Sequence, residues 1–501
     1  MSLIMGCQEL PSLEERSESR AVPPEATAET WLGRAILPYL RQADSGLSGI
    51  RPLPEPREAF ASRMLLAQTA ERTLDIQYYI WHPDLTGTLL LEALHTAADR
   101  GVRVRLLLDD NGISGMDETL AALDSHPNVE VRLFNPFRYR RAKWLGYVTD
   151  FSRANRRMHN KSFIADNQAA IIGGRNIGDE YFGATDGVLF ADLDVMAVGA
   201  VVPDVSRDFD LYWASESAYP VAGLLDPAGT GKLVELSQRA EKIEREPRAT
   251  SYMAALRETD LIHSLAQGEL ELRWSRVRML SDDPAKGLGK ADDADLLTSH
   301  LQDIIGDSSE AFSLVSPYFV PTEAGTRAFR ELAKRGVASQ VLTNSLAATD
   351  VLAVHAGYVR QRRALLEAGV DLYELKMTTS TAGGNAGPLG SSGSSLHAKT
   401  FTIDDRRVFI GSFNFDPRSA RLNTEQGFII DDPDLATRIR EAFDQRVPQM
   451  AYHVELSPDG RLVWETREGD STRRLTQEPN SHWWQRGLVW FVSKLPVEWL
   501  L

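Results

Sequence analysis

Apolar and polar residues alternate along this chain in two rhythms, and the two rhythms recur in the same order twice. Residues 74–81, "LDIQYYIW", make an apolar run of strand length. Residues 86–101, "TGTLLLEALHTAADRG", carry apolar positions at helical spacing and end on glycine, and "VRVRLLLDD" follows as a second strand-like run. This order predicts a β-α-β unit. Far downstream it returns as "AFSLVSPYFV", "PTEAGTRAFRELAKRG" and "VASQVLTNS". The parallel continues with "HPNVEVRLFNP" leading to "RMHNKSFIAD", and "EAGVDLYELK" leading to "SLHAKTFTIDDRRVFIGSFNFD". Equivalent histidines stand at His159 and His397, 397 − 159 = 238 positions apart. A period that long marks a duplicated domain rather than a stack of short repeats.

The predicted organisation is a flexible N-terminal tether over 1–45, a first half over 46–235, a polar helical connector over 236–265, a second half over 266–450 and a C-terminal extension over 451–501. A Gly/Ser-rich loop, "TTSTAGGNAGPLGSSGSS", precedes the second histidine, where it reads either as a lip over a site or as a surface insertion.

Chemistry enters with the repeated string. On a strand, residues two apart share a face, so His159 and Lys161 project together, as do His397 and Lys399. Asp166 and Asp404 each follow their lysine by five residues, in "ADNQAA" and "DDRRVF", which read as hairpin turns into "AIIGG" and "VFIGS". Those strands end in Gly173-Gly174-Arg175-Asn176 and Gly411-Ser412-Phe413-Asn414. Glycine admits close backbone approach, and the amides of Asn176 and Asn414 can donate to an oxyanion. One such string is equally readable as a surface strand with a solvated lysine and a turn aspartate. Two copies at matching places of a repeat point to a composite site.

The duplicated H-x-K-x-x-x-x-D-x-x-x-x-x-x-G-[GS]-x-N, spanning roughly residues 50 to 450, resembles the signature of the phospholipase D superfamily. Within it, "DIQYYIWHPDLTG", "RGVRVRLLLDDNG", "GSFNFDPRSARLNTEQG" and "LPVEWLL" resemble bacterial cardiolipin synthases, type C subgroup. The resemblance implies an α/β fold of two repeated α-β-α sandwich halves with mixed sheets and the active site at their interface. It also implies a two-histidine mechanism without cofactor or metal. His159 attacks phosphorus to give a phosphohistidine, His397 protonates the departing alkoxide, and the reverse pairing of roles stays open. Lys161, Lys399, Asn176 and Asn414 would stabilise phosphoryl charge. A carboxylate on the far nitrogen of each imidazole matches Glu425 in the second half and Asp192 in the first, with Asp194 as the alternative. Asp166 and Asp404 are expected as structural turn or salt-bridge residues despite belonging to the motif.

Composition then bears on the substrate. Lys plus Arg at 55 against Asp plus Glu at 70 gives 55 − 70 = −15, which disfavours a nucleic-acid track built on phosphate neutralisation. Phospholipid is the favoured partner. The resemblance implies phosphatidylglycerol as acceptor, phosphatidylglycerol or phosphatidylethanolamine as donor, and an accessory protein in some members. Arg153, Arg156, Arg157, Arg418 and Arg421 are candidates for a second phosphate. The C-terminal "NSHWWQRGLVWFVSKLPVEWLL" puts Trp483, Trp484, Trp490 and Trp499 in and just beyond a short helix ended by Pro496, either interfacial in a membrane or docked on the protein itself.

No 18-residue apolar run predicts a transmembrane helix. The single cysteine, Cys7, excludes an intrachain disulfide and reads as an inert thiol or, behind Leu3-Ile4-Met5-Gly6, as a lipid-anchor position on a Pro/Glu-rich tether. The expected location is therefore a bacterial membrane surface, held peripherally or by a lipid. Three other functions compete with phosphatidyl transfer: phospholipid hydrolysis to phosphatidic acid, a nuclease, and an inactive lipid-binding scaffold.

Overall fold

A computed structural model describes residues 10–14, 16–185, 189–229, 231–261, 264, 269–377, 394–468 and 471–495. Cys7, most of the Gly/Ser-rich loop, Pro496 and Trp499 lie outside the described residues.

Two strands at the middle of the molecule, Ser48–Leu53 and Arg273–Ser281, pair antiparallel and join the halves into one 18-stranded sheet. Moving outward from that seam, the first half adds Asp194–Gly199, Ala169–Gly173, Ser162–Ala165, Thr73–Ile80, Arg103–Gly112, Val129–Phe134 and Ala218–Pro220. The second half repeats the order with Gln426–Asp431, Arg407–Gly411, Thr400–Ile403, Ala311–Val315, Ala338–Asn344, Asp371–Leu375 and Ala451–Leu456. In each half the three strands beginning at Thr73 and at Ala311 run parallel, which requires the crossover helices Leu85–Asp99 and Thr322–Lys334. The mixed-sheet α/β architecture of two repeated halves is therefore present, with the seam as a pseudo-symmetry centre.

Three apolar clusters hold these layers. One lies on the outer face of the first half and one on that of the second. The middle cluster draws from both halves, packing Val195, Ala197 and Phe209 with Val315, Ile410, Ile430 and Phe443. Each such large side chain contributes about 1.5–3 kcal/mol by leaving water, so the seam is as much a core as either half.

The motif aspartates close two hairpins. Asp166 and Asn167 have φ of 52° and 49°, and Asp404 and Asp405 repeat those values. A two-residue turn with positive φ at both positions matches the right-handed twist of the strands it joins, and Asp and Asn tolerate it. Asp166 then accepts from the backbone N–H groups of Glu71, Arg72 and Thr73, and Asp404 from those of Ser309, Glu310 and Ala311. Neither carboxylate is spare for chemistry.

Two segments depart from the predicted organisation. Residues from 16 onward, expected as part of a tether, are laid against the first half. Arg16 donates to the carbonyl of Ser215, Arg105 and Arg132 donate to the carbonyls of Ser19 and Ser17, and Trp31–Gln42 is a helix. Backbone carbonyls satisfy buried arginines there, a role that a polar composition hides. The second half also runs past 450, because Ala451–Leu456 pairs with Asp371–Leu375 and is continued by Leu462–Glu468 and Ser471–Leu475.

The C-terminal helix, Trp483–Val492, is docked on the protein by one side and exposed on the other. Val489 is buried against Leu346 and Ala356, while Trp483 and Trp490 are 79% and 64% exposed.

Candidate active site

Both histidines enter the seam from irregular segments that pair with the opposite half. The N–H of His159 donates to the carbonyl of Thr424 at 2.9 Å, and the N–H of Thr424 returns a bond to Arg157 at 2.9 Å. In mirror fashion Ser394–Leu396 pairs parallel with Leu189–Ala191, and the N–H of His397 donates to the carbonyl of Ala191 at 2.8 Å. Each histidine is thereby clamped beside the residue that follows its partner: Glu425 after Thr424, Asp192 after Ala191.

The carboxylate pairing consequently crosses the seam. His159 Nδ1 lies 2.8 Å from Glu425 Oε2, and His397 Nδ1 lies 2.5 Å from Asp192 Oδ2. This corrects the one-carboxylate-per-half reading, in which Glu425 and Asp192 serve their own halves. With Nδ1 engaged, Nε2 of each ring is the nitrogen left for chemistry. Asp194 is excluded as the alternative: it is fully buried and bonds Arg63 Nη2 at 2.9 Å, with Arg175 Nη1 at 3.4 Å.

The difference between Gly-Gly and Gly-Ser in the two motif copies follows from this arrangement. A Cβ on Gly174 would stand 2.2 Å from Asp192 Oδ1, so the short carboxylate occupies the space a side chain would need. At the equivalent place Ser412 Oγ donates to Glu425 Oε2 at 2.5 Å, and Glu425 Oε1 has no partner.

Charge separates the two half-sites. Burial pushes the Glu425 carboxyl up to about 7, against the opposing pull of Lys161 and the Ser412 hydroxyl. Burial pushes Asp192 the same way, but Lys399 and His397 outweigh it and hold the carboxyl below its ordinary range. Burial holds His159 well below the usual imidazole value, and the ammonium groups of Lys161 and Lys399 add to the effect. His397 is also lowered by burial and by Lys399, with Asp192 pulling in the opposite direction. Lys161 is lowered to about 7 by burial, opposed by Glu425, and Lys399 is lowered by burial, opposed by Asp192.

Lys161 and Lys399 each donate back to the carbonyl of their own histidine, and Lys399 Nζ also lies 2.9 Å from His397 Nδ1. Asn176 is partly committed, donating to the Tyr181 hydroxyl at 3.0 Å and accepting from the N–H of Ile80. Asn414 is buried with its Oδ1 unpartnered. The five arginines differ from the phosphate-binding expectation. Arg157 is buried on Asp109, Arg418 binds Asn155 across the seam, Arg153 holds Asp150, Arg156 bonds the Arg421 carbonyl, and Arg421 pairs with Asp293. They are ties: Arg156 and Arg418 reach across the seam, and the other three hold residues of their own half.

Sequence reasoning missed the rings that wall the histidines. Tyr79 stands edge-on to His159 at 5.1 Å, while Tyr181 and Phe190 stand at 5.3 and 5.2 Å from His397. It also missed Asp282, whose Oδ2 accepts from the N–H of Glu425 and from Lys286 Nζ, both at 2.8 Å. Tyr79 lies in "LDIQYYIW" and Tyr181 follows Asn176 by five residues, whereas nothing in the sequence around Asp282 links it to Glu425.

A family model described as "Cardiolipin synthase, PLD-like domain" matches residues 65–213 and again 301–447. Cardiolipin synthase C of Escherichia coli K12 is 50% identical over 472 residues, covering 94% of this chain and 99% of that protein. Cardiolipin synthase 1 of Staphylococcus epidermidis is 25% identical, covering 76% of this chain and 64% of that protein. Among solved structures, phosphatidylserine synthase of Haemophilus influenzae aligns with a TM-score of 0.58 at 15% identity, over 94% of this chain and all of that one, a likeness of fold.

Proposed function

The chain belongs to the phospholipase D-like cardiolipin synthase family, and from that premise we propose that it is a phosphatidyltransferase that makes cardiolipin through a phosphohistidine. The observation that carries the mechanism is the pair of Nδ1-anchored histidines facing one seam with differently charged carboxylates behind them.

His159 is the nucleophile. Burial and two nearby ammonium groups keep it neutral, and Glu425 and Ser412 fix the tautomer that leaves its Nε2 lone pair free. Nε2 attacks the donor phosphorus, the bond from phosphorus to the headgroup oxygen breaks, and His397 Nε2–H protonates that oxygen. An ionised Asp192 suits His397 to carry the proton, because it stabilises the imidazolium. In the second step neutral His397 takes the proton of the phosphatidylglycerol hydroxyl, whose oxygen displaces His159 from phosphorus. Lys161, Lys399 and Asn414 flank the position where phosphoryl charge grows, and rotation of either ammonium off its carbonyl supplies the donor.

Peripheral membrane attachment completes the proposal. Among the described residues no helix is long and apolar enough to cross a membrane. Two exposed aromatic patches offer surface for such attachment. One is the Trp483–Val492 helix. The other is Trp144, Val148 and Phe151, joined to His159 through the Tyr147 to Asn111 to Tyr79 hydrogen bonds and the Tyr79 ring.

Detergent-solubilised protein given phosphatidylglycerol, with and without phosphatidylethanolamine, is expected to yield cardiolipin, read by mass spectrometry. Phosphatidic acid without cardiolipin in both mixtures would replace transfer by hydrolysis.

A further inference from the structure

The duplication allows one groove to be compared with its own copy. In the first half, helix Leu85–Asp99 is covered by Lys232–Glu244, and helix Pro56–Thr69 by the connector helix Pro247–Arg257. Tyr252 of that helix and Phe182 close on Phe60, with ring centroids 5.8 and 5.2 Å from it. In the second half, Leu297–Gly306 and Thr322–Lys334 are the matching helices. At the same 238-residue offset Phe60 becomes Thr298 and Phe182 becomes Ala420, so both rings are lost. Among the described residues no helix takes the place of the connector, and a cavity of about 790 Å³ remains.

The cavity is walled by Leu301, Ile305, Phe329 and Leu332 on the helix side and by Phe413 and Phe415 on the motif side. These two phenylalanines flank Asn414. Asp416, which also lines the cavity, is close enough for its charge to act on Lys399 and to feel that of Glu425. An apolar space of this volume sharing a wall with the phosphoryl site matches a flexible hydrocarbon chain attached to the reacting phosphate. A protein helix would match the first-half precedent, but the common wall with the motif favours the substrate itself.

We propose that this second-half groove binds one acyl chain of the phospholipid substrate. The proposal rests on the phospholipid reading above. Filling the groove should therefore penalise long chains more than short ones, since each methylene excluded forfeits burial.

Two variants test it from opposite walls: Thr298→Phe, which restores the ring that the first half carries, and Ala328→Trp on the exposed side of Thr322–Lys334. The probes are parinaric acid, a fluorescent long-chain fatty acid, and phosphatidylglycerol with long or short acyl chains. Each variant is expected to weaken parinaric acid binding and to lower the ratio of long-chain to short-chain rates by roughly tenfold, the worth of about two buried methylenes. An unchanged ratio with unchanged probe binding would overturn the proposal, and is what a groove reserved for a protein helix would give. Wild-type protein that binds the probe, loses it in both variants, yet converts no phosphatidylglycerol would uphold the groove and overturn the reaction proposed above.

Discussion

The two half-sites are built from one pattern and finished differently. Around His159 the carboxylate is a glutamate, raised by burial to about 7, held by a serine hydroxyl and left with one oxygen unpaired. Around His397 it is an aspartate, kept ionised by Lys399 and His397 and packed so closely on Gly174 that no side chain fits there. One extra methylene and one hydroxyl thus separate a half-site that holds its imidazole well below the ordinary range from one in which the carboxylate opposes that lowering. Duplication supplies two histidines, and this divergence lets one attack while the other moves protons.

The largest test of that division removes the rings. His159→Ala and His397→Ala should each lower cardiolipin formation by at least about 10⁵-fold, since groups acting as a unit fail together. Near-normal turnover in either variant would make the two half-sites unequal partners of some other reaction.

The carboxylates come next. Asp192→Asn should cost about 10³–10⁴-fold in kcat, because His397 loses both its tautomer lock and the charge behind its imidazolium. Glu425→Gln should cost only about 10²-fold, because His159 needs orientation more than charge. Equal losses would erase the distinction between the half-sites.

A smaller effect is in pH. Glu425 and Lys161 both titrate near 7, from opposite directions. Below about 7 Glu425 takes up a proton and stops accepting from His159 Nδ1–H, so the rate falls with pH. Above about 7 Lys161 sheds its proton and phosphoryl charge loses a counterion, so the rate falls again. The profile of kcat/KM should be a bell centred near 7, with the acid limb flattened in Glu425→Gln and kept in Asp192→Asn.

Much of this was legible in the sequence because it is local. The alternation around residues 74–110 and 311–345, the Asp-Asn and Asp-Asp turns and the 238-residue period all follow from propensities acting over a few residues. What was not legible depends on contacts across the seam. Glu425 and Asp192 are 425 − 192 = 233 apart, out of step with the motif period, and no local pattern says that each serves the opposite histidine. Asp192 and Asp194 are likewise equal in sequence until Arg63, far upstream, claims Asp194. The run from Arg16 looked like a tether because its role is to offer backbone carbonyls to Arg105 and Arg132, and carbonyls leave no mark on composition.

The most direct measurement traps the covalent intermediate. His397→Ala protein, exposed to phosphatidylglycerol carrying a good leaving group in place of glycerol, is quenched, digested and read by peptide mass spectrometry. The expected result is a phosphatidyl adduct on the peptide containing His159, accumulating because no base remains to activate the acceptor, and absent from His159→Ala. An adduct confined to the His397 peptide of the His159→Ala variant, with none on His159 in either protein, would contradict the assignment of roles.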